Sequence, residues 1–343
     1  MIKLFIYPTI ENSNKHNLCP LAKMLTTEQN DLANYYKIVP NISGCDYILN
    51  PEIINIQFKE QSSTSINKVI KSAKSANKKV ICFTDGDFGK SINSRYVIML
   101  RMGGFKSKMK TINMISAYVS DPYLIIHDSF SPIPKIEKPT VGFVGHSDGT
   151  FLKVIKEFMH FLKKNSKVLL GKEYYDYQSF YPSSYYRDKY LKLLRHDNRI
   201  LSEFICRKKY NAGANDKIEK LEAQIEFFNN IKKNMYTFCL RGSGNFSIRF
   251  YETLAMGRIP ILVNTDCKLP FEDILNWNLH AIIIPEIDYK SIASYIHEFH
   301  NRHTEEELIT IQINDRKLWE THFTRNSFYT QLATWLDRQL KNN

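Results

Sequence analysis

Short apolar runs alternate with helical stretches along the first part of the chain. The clearest helical pattern covers Ser65–Asn77, where apolar residues recur at spacings of three and four. The apolar runs read as strands are Lys3–Tyr7, Tyr36–Val39, Tyr47–Leu49, Lys79–Phe83, Tyr96–Leu100 and Tyr123–His127. Strands that alternate with helices predict a parallel sheet covered by helices on both faces.

A segment with three prolines in nine residues, 131–139, interrupts this pattern and is predicted to be a linker. The pattern then restarts with a strand at Thr140–Gly145 and a helix that continues to about residue 163. Further strands are predicted at Lys167–Leu170, Thr237–Leu240, Ile259–Val263 and Ala281–Ile284. Further helices are predicted at Lys217–Lys233, Ser247–Met256, 291–300 and 304–320. A last helix carries on one side a stripe that we interpret as core: Phe328, Leu332, Trp335, Leu336 and Leu340.

The length of 343 residues exceeds what one hydrophobic core usually serves, so two domains are expected. We predict domains at 1–136 and 137–325, with the last helix at 326–343. Active sites of such domain pairs usually lie in the cleft between them. Hydrophobic residues make up 43% and charged residues 24%, which is typical of a globular protein.

The chain carries a formal net charge of +12, which favours an anionic partner. Basic residues concentrate between Lys68 and Lys110, where the only acidic residues are Asp85 and Asp87. A solvated helix face explains this cluster, and so does a patch that docks on anionic lipid or on an anionic acceptor. Four lysines at 153, 156, 163 and 164 read as another solvated helix face.

Six cysteines include no CxxC pair, so they read as small buried hydrophobes in a reducing compartment. The apolar start of the chain reads as a strand, and no stretch approaches the roughly 20 apolar residues of a membrane span. We therefore expect a cytoplasmic protein, at most peripheral to the inner face of a membrane.

The most informative stretch runs from Tyr236 to Gly257. A strand delivers Arg241 at its carboxyl end, glycines permit a tight turn, and Ser247 is a good helix N-cap. Backbone amides, the helix dipole and two arginines can then surround one anion, such as a diphosphate. Glu252 lies one turn after Arg249, where a carboxylate can accept the hydroxyls of a ribose. The predicted binding residues are Arg241, Gly242, Ser243, Gly244, Asn245, Ser247, Arg249 and Glu252.

A simpler interpretation remains open from spacing alone. The glycines can merely form a turn, while Arg249 and Glu252 pair on the surface. The loop matches neither the Walker nor the Rossmann fingerprint.

The same stretch resembles the exostosin-like glycosyltransferases. The likeness covers the Phe-Cys-Leu strand end at 238–240, the Arg-Gly pair, the Ser-x-Arg segment and Glu252, and continues to Glu286 in the family's order. It implies a GT-B fold: two Rossmann-like α/β domains facing a cleft, with the C-terminal helix returning to the N-terminal domain. It also implies inverting transfer, with the donor diphosphate on Arg241, Ser247 and Arg249 and the ribose on Glu252. The first domain would take the acceptor and the second the nucleotide-sugar.

Inverting transfer needs a base that deprotonates the acceptor hydroxyl. Asp85 and Asp87 follow a buried strand and are the first candidates. His146 and Asp148 follow another strand and come second, and contact with the donor is an equal alternative for them. Asp85 and Asp87 can also simply turn the chain beside Gly86.

Metal binding is not expected. GT-B enzymes generally stabilise the leaving diphosphate with cationic side chains and helix amides. Asp85-Gly-Asp87 fits the metal motif of the alternative GT-A fold but lacks that fold's further context. His297, His300 and His303 read as a polar helix end, and no zinc-type histidine pair occurs.

Together these features predict a metal-independent hexosyl- or pentosyltransferase that uses a UDP-sugar. The predicted acceptor is a glycan or lipid-linked glycan of surface polysaccharide or glycoconjugate synthesis. A GDP-sugar enzyme of fucosyltransferase type is the closest alternative, although that family lacks the Arg-Gly start. A non-enzymatic protein that binds nucleic acid or membrane fits the charge but not a compact diphosphate site. Nucleic acid is therefore not an expected partner, whereas peripheral association with an anionic membrane is.

Overall fold

The computed structural model describes residues 1–8, 18–26, 32–59, 63–109, 112–208, 213 and 216–342. Lys110, the last member of the predicted basic cluster, lies outside the described residues. Two parallel sheets, each flanked by helices, make up the described part of the chain.

The first sheet follows the predicted pattern of buried parallel strands. Its order is β2-β1-β3-β4-β5-β6, and every pairing is parallel. The strands are β1 (Ile2–Ile6), β2 (Tyr36–Ile38), β3 (Tyr47–Ile53), β4 (Lys79–Phe83), β5 (Val97–Arg101) and β6 (Ile112–Met114). The helices are α1 (Pro20–Thr26), α2 (Ile54–Lys59), α3 (Ser63–Ser75) and α4 (Pro122–Ile125).

The second sheet begins after the proline-rich segment and has the order β11-β10-β9-β7-β8, again parallel throughout. Its strands are β7 (Thr140–His146), β8 (Leu201–Arg207), β9 (Tyr236–Cys239), β10 (Ile259–Asn264) and β11 (Ile282–Pro285). Its helices are α5 (Phe151–Leu169), α6 (Ser183–His196), α7 (Lys217–Lys233), α8 (Ile248–Ala255), α9 (Ile292–Arg302) and α10 (Glu305–His322).

The last helix, α11 (Arg325–Lys341), packs back on the first sheet. Its carbonyls at Tyr329 and Leu336 accept hydrogen bonds of 2.7 and 2.9 Å from the hydroxyls of Tyr36 and Tyr47. The predicted stripe is buried except at Leu340, which is 39% exposed. Two parallel α/β sheets with a returning helix form the GT-B architecture, so the predicted fold class is confirmed. The domain limits at 136 and 325 stay a prediction.

One apolar core joins the two sheets. It contains Leu4 and Leu100 from the first sheet, Leu254 from α8, and Trp319 and Leu336 from α10 and α11. The core therefore continues from one domain into the other, which fixes the strand ends of both sheets near each other.

The proline-rich segment is not a loose linker. Gln312 of α10 exchanges two hydrogen bonds, each of 2.9 Å, with the backbone of Ile133. His300 contacts the carbonyl of Ile136 at 2.8 Å through its ring and also bonds Tyr236. The interpretation of His300 as part of a polar helix end is wrong, because these partners hold it in the core.

Three other sequence predictions are wrong. The run Tyr123–His127 is not a strand: Asp121 caps the helix α4 and Pro122 starts it. Lys167–Leu170 is not a strand, because the pattern of α5 continues through it. Cys206 is exposed, since β8 is the edge strand of its sheet. A short apolar run cannot distinguish a strand from a helix end.

In the part of the chain that the structure describes, no helix combines the length and apolar character needed to span a bilayer.

Candidate functional site

Three arginines converge where the strands β7 and β9 of the second sheet end. Arg241 follows β9, Arg249 lies in the first turn of α8, and Arg187 projects from α6. Arg187 donates to the carbonyl of His146 at 2.6 Å and to that of Arg241 at 3.1 Å. Arg249 donates to the carbonyl of Val144 at 2.8 Å. We call Arg187, Arg241 and Arg249 the arginine cluster.

The arginine cluster has unused hydrogen-bonding capacity. The Nε atoms of all three side chains are closed to solvent and have no partner among the described residues, and the same is true of the Ser147 hydroxyl. Their other guanidinium bonds go to backbone carbonyls, and none of the ion pairs in the described structure involves them. Because buried donors are normally satisfied, these groups are suited to bind an anionic ligand.

Burial raises the free-energy cost of keeping the arginine cluster charged. Burial lowers the pKa of Arg187 to about 10, and the nearby Arg249 charge contributes to that shift. The pKa values of Arg241 and Arg249 are also lowered, mainly by burial. All three side chains still carry their charge at neutral pH, and none of them forms an ion pair in the described structure.

Aromatic rings fix the directions of the guanidinium groups. Arg241 lies 4.8 Å from the ring centre of Tyr181, and Arg249 lies 4.3 Å from that of Phe143. Such cation–π contacts stabilise a partly desolvated arginine without supplying a hydrogen-bond acceptor. The donors thus stay available to a ligand.

Glu252 is partly buried on α8, one turn after Arg249. Burial raises the pKa of its carboxyl to about 7, although the Arg249 charge acts in the opposite direction. The two side chains form no ion pair in the described structure, and Arg249 instead bonds the carbonyl of Val144. The alternative interpretation, a surface pair of Arg249 with Glu252, therefore does not describe this structure.

The loop 241–246 lies against the first domain. A Cβ atom on Gly244 would overlap the backbone oxygen of Asp87, whereas a Cβ on Gly242 would meet nothing within 4 Å. The buried amide of Asn245 donates to the carbonyls of Gly104 and Thr265, at 3.0 and 2.9 Å. Two backbone segments approach each other closely at Gly244, so a side chain does not fit there. Asn245 contributes hydrogen bonds to the contact between the domains.

The serines of this loop remain free to bind a ligand. Ser247 is the N-cap residue of α8 but its side chain makes no capping bond, which leaves its hydroxyl and the first amides of the helix available. Ser243 is exposed and supplies a carbonyl that Arg241 bonds at 3.0 Å.

His146 lies beside the arginine cluster at the end of β7. Its pKa is lowered, first by burial and then by the charges of Lys153 and Arg187. The imidazole is therefore neutral at pH 7 and able to accept a proton. The Asp148 carboxylate already has a hydrogen-bond partner, because it accepts a bond of 2.9 Å from the Thr150 amide just before α5.

Asp85 and Asp87 lie after β4, on the opposite side of the interdomain contact. The Asp85 carboxylate accepts the Gly86 amide at 2.7 Å, as expected if it shapes the turn. The Asp87 side chain is exposed, while its backbone oxygen faces Gly244. The first domain thus brings Asp87 up to the loop that carries Arg241.

A cavity of about 360 Å³ opens beside this loop. It lies between α5, the segment 175–183 and Ser243, and Tyr181 separates it from Arg241. Aromatic and basic side chains dominate its lining: Phe88, Lys153, Lys156, Phe161, Lys164, Tyr175, Phe180 and Tyr181. Its size is in the range of cavities that hold small ligands.

Sequence reasoning missed Arg187, Ser147 and Tyr181. Arg187 lies in α6, a helix that was not predicted, within a run rich in tyrosine and charge. Its role depends on a contact with Arg241, 54 positions away, that no local pattern reveals. In the described part of the chain, no group of three or more His, Cys, Asp or Glu residues is arranged to hold a metal ion.

Residues 184–299 match the sequence model of the Exostosin GT47 domain. This part of the second domain is therefore similar to the Exostosin GT47 domain. The matched range includes the whole arginine cluster and Glu252, so the resemblance expected from the sequence falls on the site itself.

Individual exostosin sequences are similar to this chain over a shorter range. Exostosin-1 of Bos taurus is 32% identical over 90 residues, which are 26% of this chain and 12% of the relative. The Exostosin-1 homolog of Caenorhabditis elegans is 38% identical over 72 residues, which are 20% of this chain and 19% of the relative. The exostosin-like match thus spans a small fraction of these relatives' length.

Solved structures align over nearly the whole chain at low similarity. A glycosyltransferase from Rickettsia africae ESF-5 is 13% identical, with 99% of each chain covered and a TM-score of 0.36. HepE from Anabaena, in complex with UDP and glucose, is 9% identical, with 98% of this chain and 99% of that chain covered and a TM-score of 0.34. At these scores the alignments carry no argument about function.

Proposed function

We propose that this protein is a glycosyltransferase whose arginine cluster binds the diphosphate of a nucleotide-sugar. The observation that carries the proposal is three guanidinium groups with unpaired Nε donors and no acidic partner in the described structure. A diphosphate supplies the missing acceptors in number and charge. The exostosin-like sequence of the same residues supports this choice over other anions.

In this proposal Arg187, Arg241 and Arg249 hold the diphosphate, together with Ser247 and the first amides of α8. Charge that develops on the leaving diphosphate is stabilised by groups already in place, which requires no metal ion. Glu252 accepts hydrogen bonds from the ribose. Ser147, with its unpaired hydroxyl near the end of β7, is a further donor that the sequence did not indicate.

Transfer proceeds in one displacement with inversion, and we assign the base to His146. A neutral imidazole at the edge of the arginine cluster can take the acceptor proton, whereas Asp85 and Asp148 already accept backbone amides. Asp87 remains the alternative base. The cavity beside Ser243 takes the acceptor glycan, because aromatic faces pack against sugar rings and lysines bond hydroxyls.

The donor is proposed to be a UDP-sugar, and the acceptor a glycan or lipid-linked glycan of a surface polysaccharide or glycoconjugate. Exostosin resemblance favours UDP over GDP. Nucleic acid is not a proposed partner, because the buried arginines form one compact site, whereas binding to a phosphate backbone uses scattered basic residues.

Calorimetric titration with UDP, GDP and CDP in EDTA tests the donor site. We expect UDP to bind without metal, and Arg187→Ala or Arg249→Ala to weaken binding about 10- to 100-fold, since a charged hydrogen bond contributes about 1.5–3 kcal/mol. Arg338→Ala, which removes an exposed arginine of α11, is the matched control and should leave the affinity unchanged.

GDP binding instead of UDP would favour the fucosyltransferase-type alternative. Binding that requires manganese, or an affinity that is equal in the wild type and both variants, would overturn the proposed site.

A further inference from the structure

The helix α5 exposes an unusually apolar face. One side of it packs inward: Glu157 accepts from Ser184 at 2.5 Å, and Phe161 contacts Phe180 with ring centres 5.5 Å apart. None of its nineteen residues is fully buried. The large apolar side chains that solvent reaches are Phe151, Leu152, Ile155, Met159, Leu162 and Leu169, together with Phe158, whose ring also contacts Phe180 with centres 5.1 Å apart.

These side chains form one stripe. At 100° per residue they fall within roughly one third of the helix circumference. Leu152 is 70% exposed, Met159 60% and Leu169 87%, and Leu170 extends the stripe past the helix end at 67%. A continuous exposed apolar stripe of this kind marks an interaction surface, unlike single apolar residues scattered over a surface.

A row of lysines borders the stripe. The same helical spacing places Lys156, Lys163 and Lys167 along one edge of the apolar face. The only acidic residue of α5 is Glu157, which faces α6 through its bond to Ser184. The exposed face of α5 is therefore apolar and positive and carries no negative charge.

We propose that α5 lies in the plane of an anionic membrane surface. In that position the stripe enters the boundary between headgroups and acyl chains, and the lysines reach the headgroup phosphates. The lysine row argues for lipid over a second copy of this chain, because the exposed face of α5 offers it no acidic residue and Glu173, which lies beside the row, already pairs with Lys167 at 3.9 Å.

This surface differs from the basic cluster that the sequence suggested for lipid. Lys68 and Lys71 are exposed on α3, but the described residues from 63 to 109 include no exposed large apolar side chain. Positive charge alone gives weak attraction that salt removes. The lipid surface is therefore assigned to α5 in the second domain, and α3 is a solvated face.

Flotation with lipid vesicles tests this assignment. We expect the purified chain to float with vesicles of phosphatidylcholine and phosphatidylglycerol, and much less with phosphatidylcholine alone. The double variant Leu152→Ser/Met159→Ser should lower the bound fraction about tenfold or more, because it removes two large apolar groups from the stripe.

Matched controls distinguish the effects of the apolar stripe and of the lysines on α5 from the effects of any surface substitution. Ile218→Ser/Leu221→Ser removes two exposed apolar side chains of α7 and should float like the wild type. Lys163→Glu/Lys167→Glu should lower binding about tenfold or more at low salt, since each lysine near an anionic surface contributes roughly fivefold. Lys68→Glu/Lys71→Glu on α3 should not.

Equal flotation of the stripe variant and the wild type would overturn the proposal, as would no binding to anionic vesicles. A dimer in light scattering that Leu152→Ser/Met159→Ser converts to a monomer would assign the face to a second copy instead. Neither the arginine cluster nor nucleotide enters this experiment, so its result is independent of the proposed transfer activity. Circular dichroism melting verifies that the variants fold, as expected for exposed positions.

Discussion

Glu252 shows how burial and charge compete at a single residue. The cation of Arg249 one turn away favours the carboxylate, yet the pKa of Glu252 rises from 4.5 to about 7 because removal from water costs the anion more. The folded chain therefore binds this proton more tightly than the unfolded chain does. Stability gained from the bound proton is complete below pH 4.5 and is lost as the pH rises through about 7.

We expect Glu252→Gln to stabilise the protein relative to the wild type more at pH 8 than at pH 5.5. The difference should be about 2 kcal/mol, because one pKa unit corresponds to about 1.4 kcal/mol. Urea denaturation of both proteins at the two pH values measures it. Glu222→Gln, at an exposed position of α7, is the control substitution. A difference in unfolding free energy between the two proteins that stays constant with pH would contradict the raised pKa of Glu252.

His146 and the aspartates can be told apart by kinetics. With His146 as base, kcat/KM should fall only when the pH drops below about 6.5, because burial and two nearby cations lower the pKa of the imidazole. His146→Ala should lower kcat about 100- to 1,000-fold and leave nucleotide affinity within about threefold. Release of the nucleoside diphosphate and calorimetric titration give the two quantities.

The corresponding tests on the first domain are Asp85→Asn and Asp87→Asn. Each should leave kcat within about tenfold of the wild type. If Asp87→Asn abolishes turnover while His146→Ala does not, the base lies on the first domain.

At the scale of elements, the loop 241–246 offers a paired test with two glycines. Gly244→Ala places a Cβ against the Asp87 oxygen and should cost about 1–3 kcal/mol, whereas Gly242→Ala has free space and should change stability by less than about 0.5 kcal/mol. Thermal unfolding measures both. Equal effects of the two substitutions would mean that the domains do not meet at Gly244.

The elements also show what a single sequence can and cannot predict. Helix α7 has the predicted limits, Lys217–Lys233, because its apolar spacing and capping residue Asp216 are both local. Yet Ile218 and Leu221, which belong to this apolar spacing, are exposed. The edge strand β8 and helix α6 were missed, since β8 exposes apolar side chains such as Leu201 and Ile205. With α6 unseen, Arg187 could not be placed beside Arg241.

At the scale of the whole molecule, the continuous core predicts a single cooperative unit. Side chains of both sheets and of α11 share it, and the Trp335 indole also donates to Asp273 at 2.7 Å across the domains. We expect calorimetry to record one unfolding transition. Trp335→Ala should lower the midpoint temperature of that single transition and reduce the free energy of unfolding by about 3–5 kcal/mol. Two transitions, one of them unaffected by the substitution, would contradict this expectation.

Asn245 gives this architecture a thermodynamic consequence. Its amide bonds one carbonyl in each domain, at Gly104 and Thr265, and it lies in the loop that starts at Arg241. If the proposed nucleotide displaces this loop, it also disturbs the Asn245 bonds between the domains. The two effects are then reciprocal: the factor by which the proposed nucleotide changes the strength of this interdomain contact equals the factor by which the contact changes nucleotide affinity. A cross-link that holds the two domains in this arrangement would therefore change the affinity for the proposed nucleotide by a measurable factor.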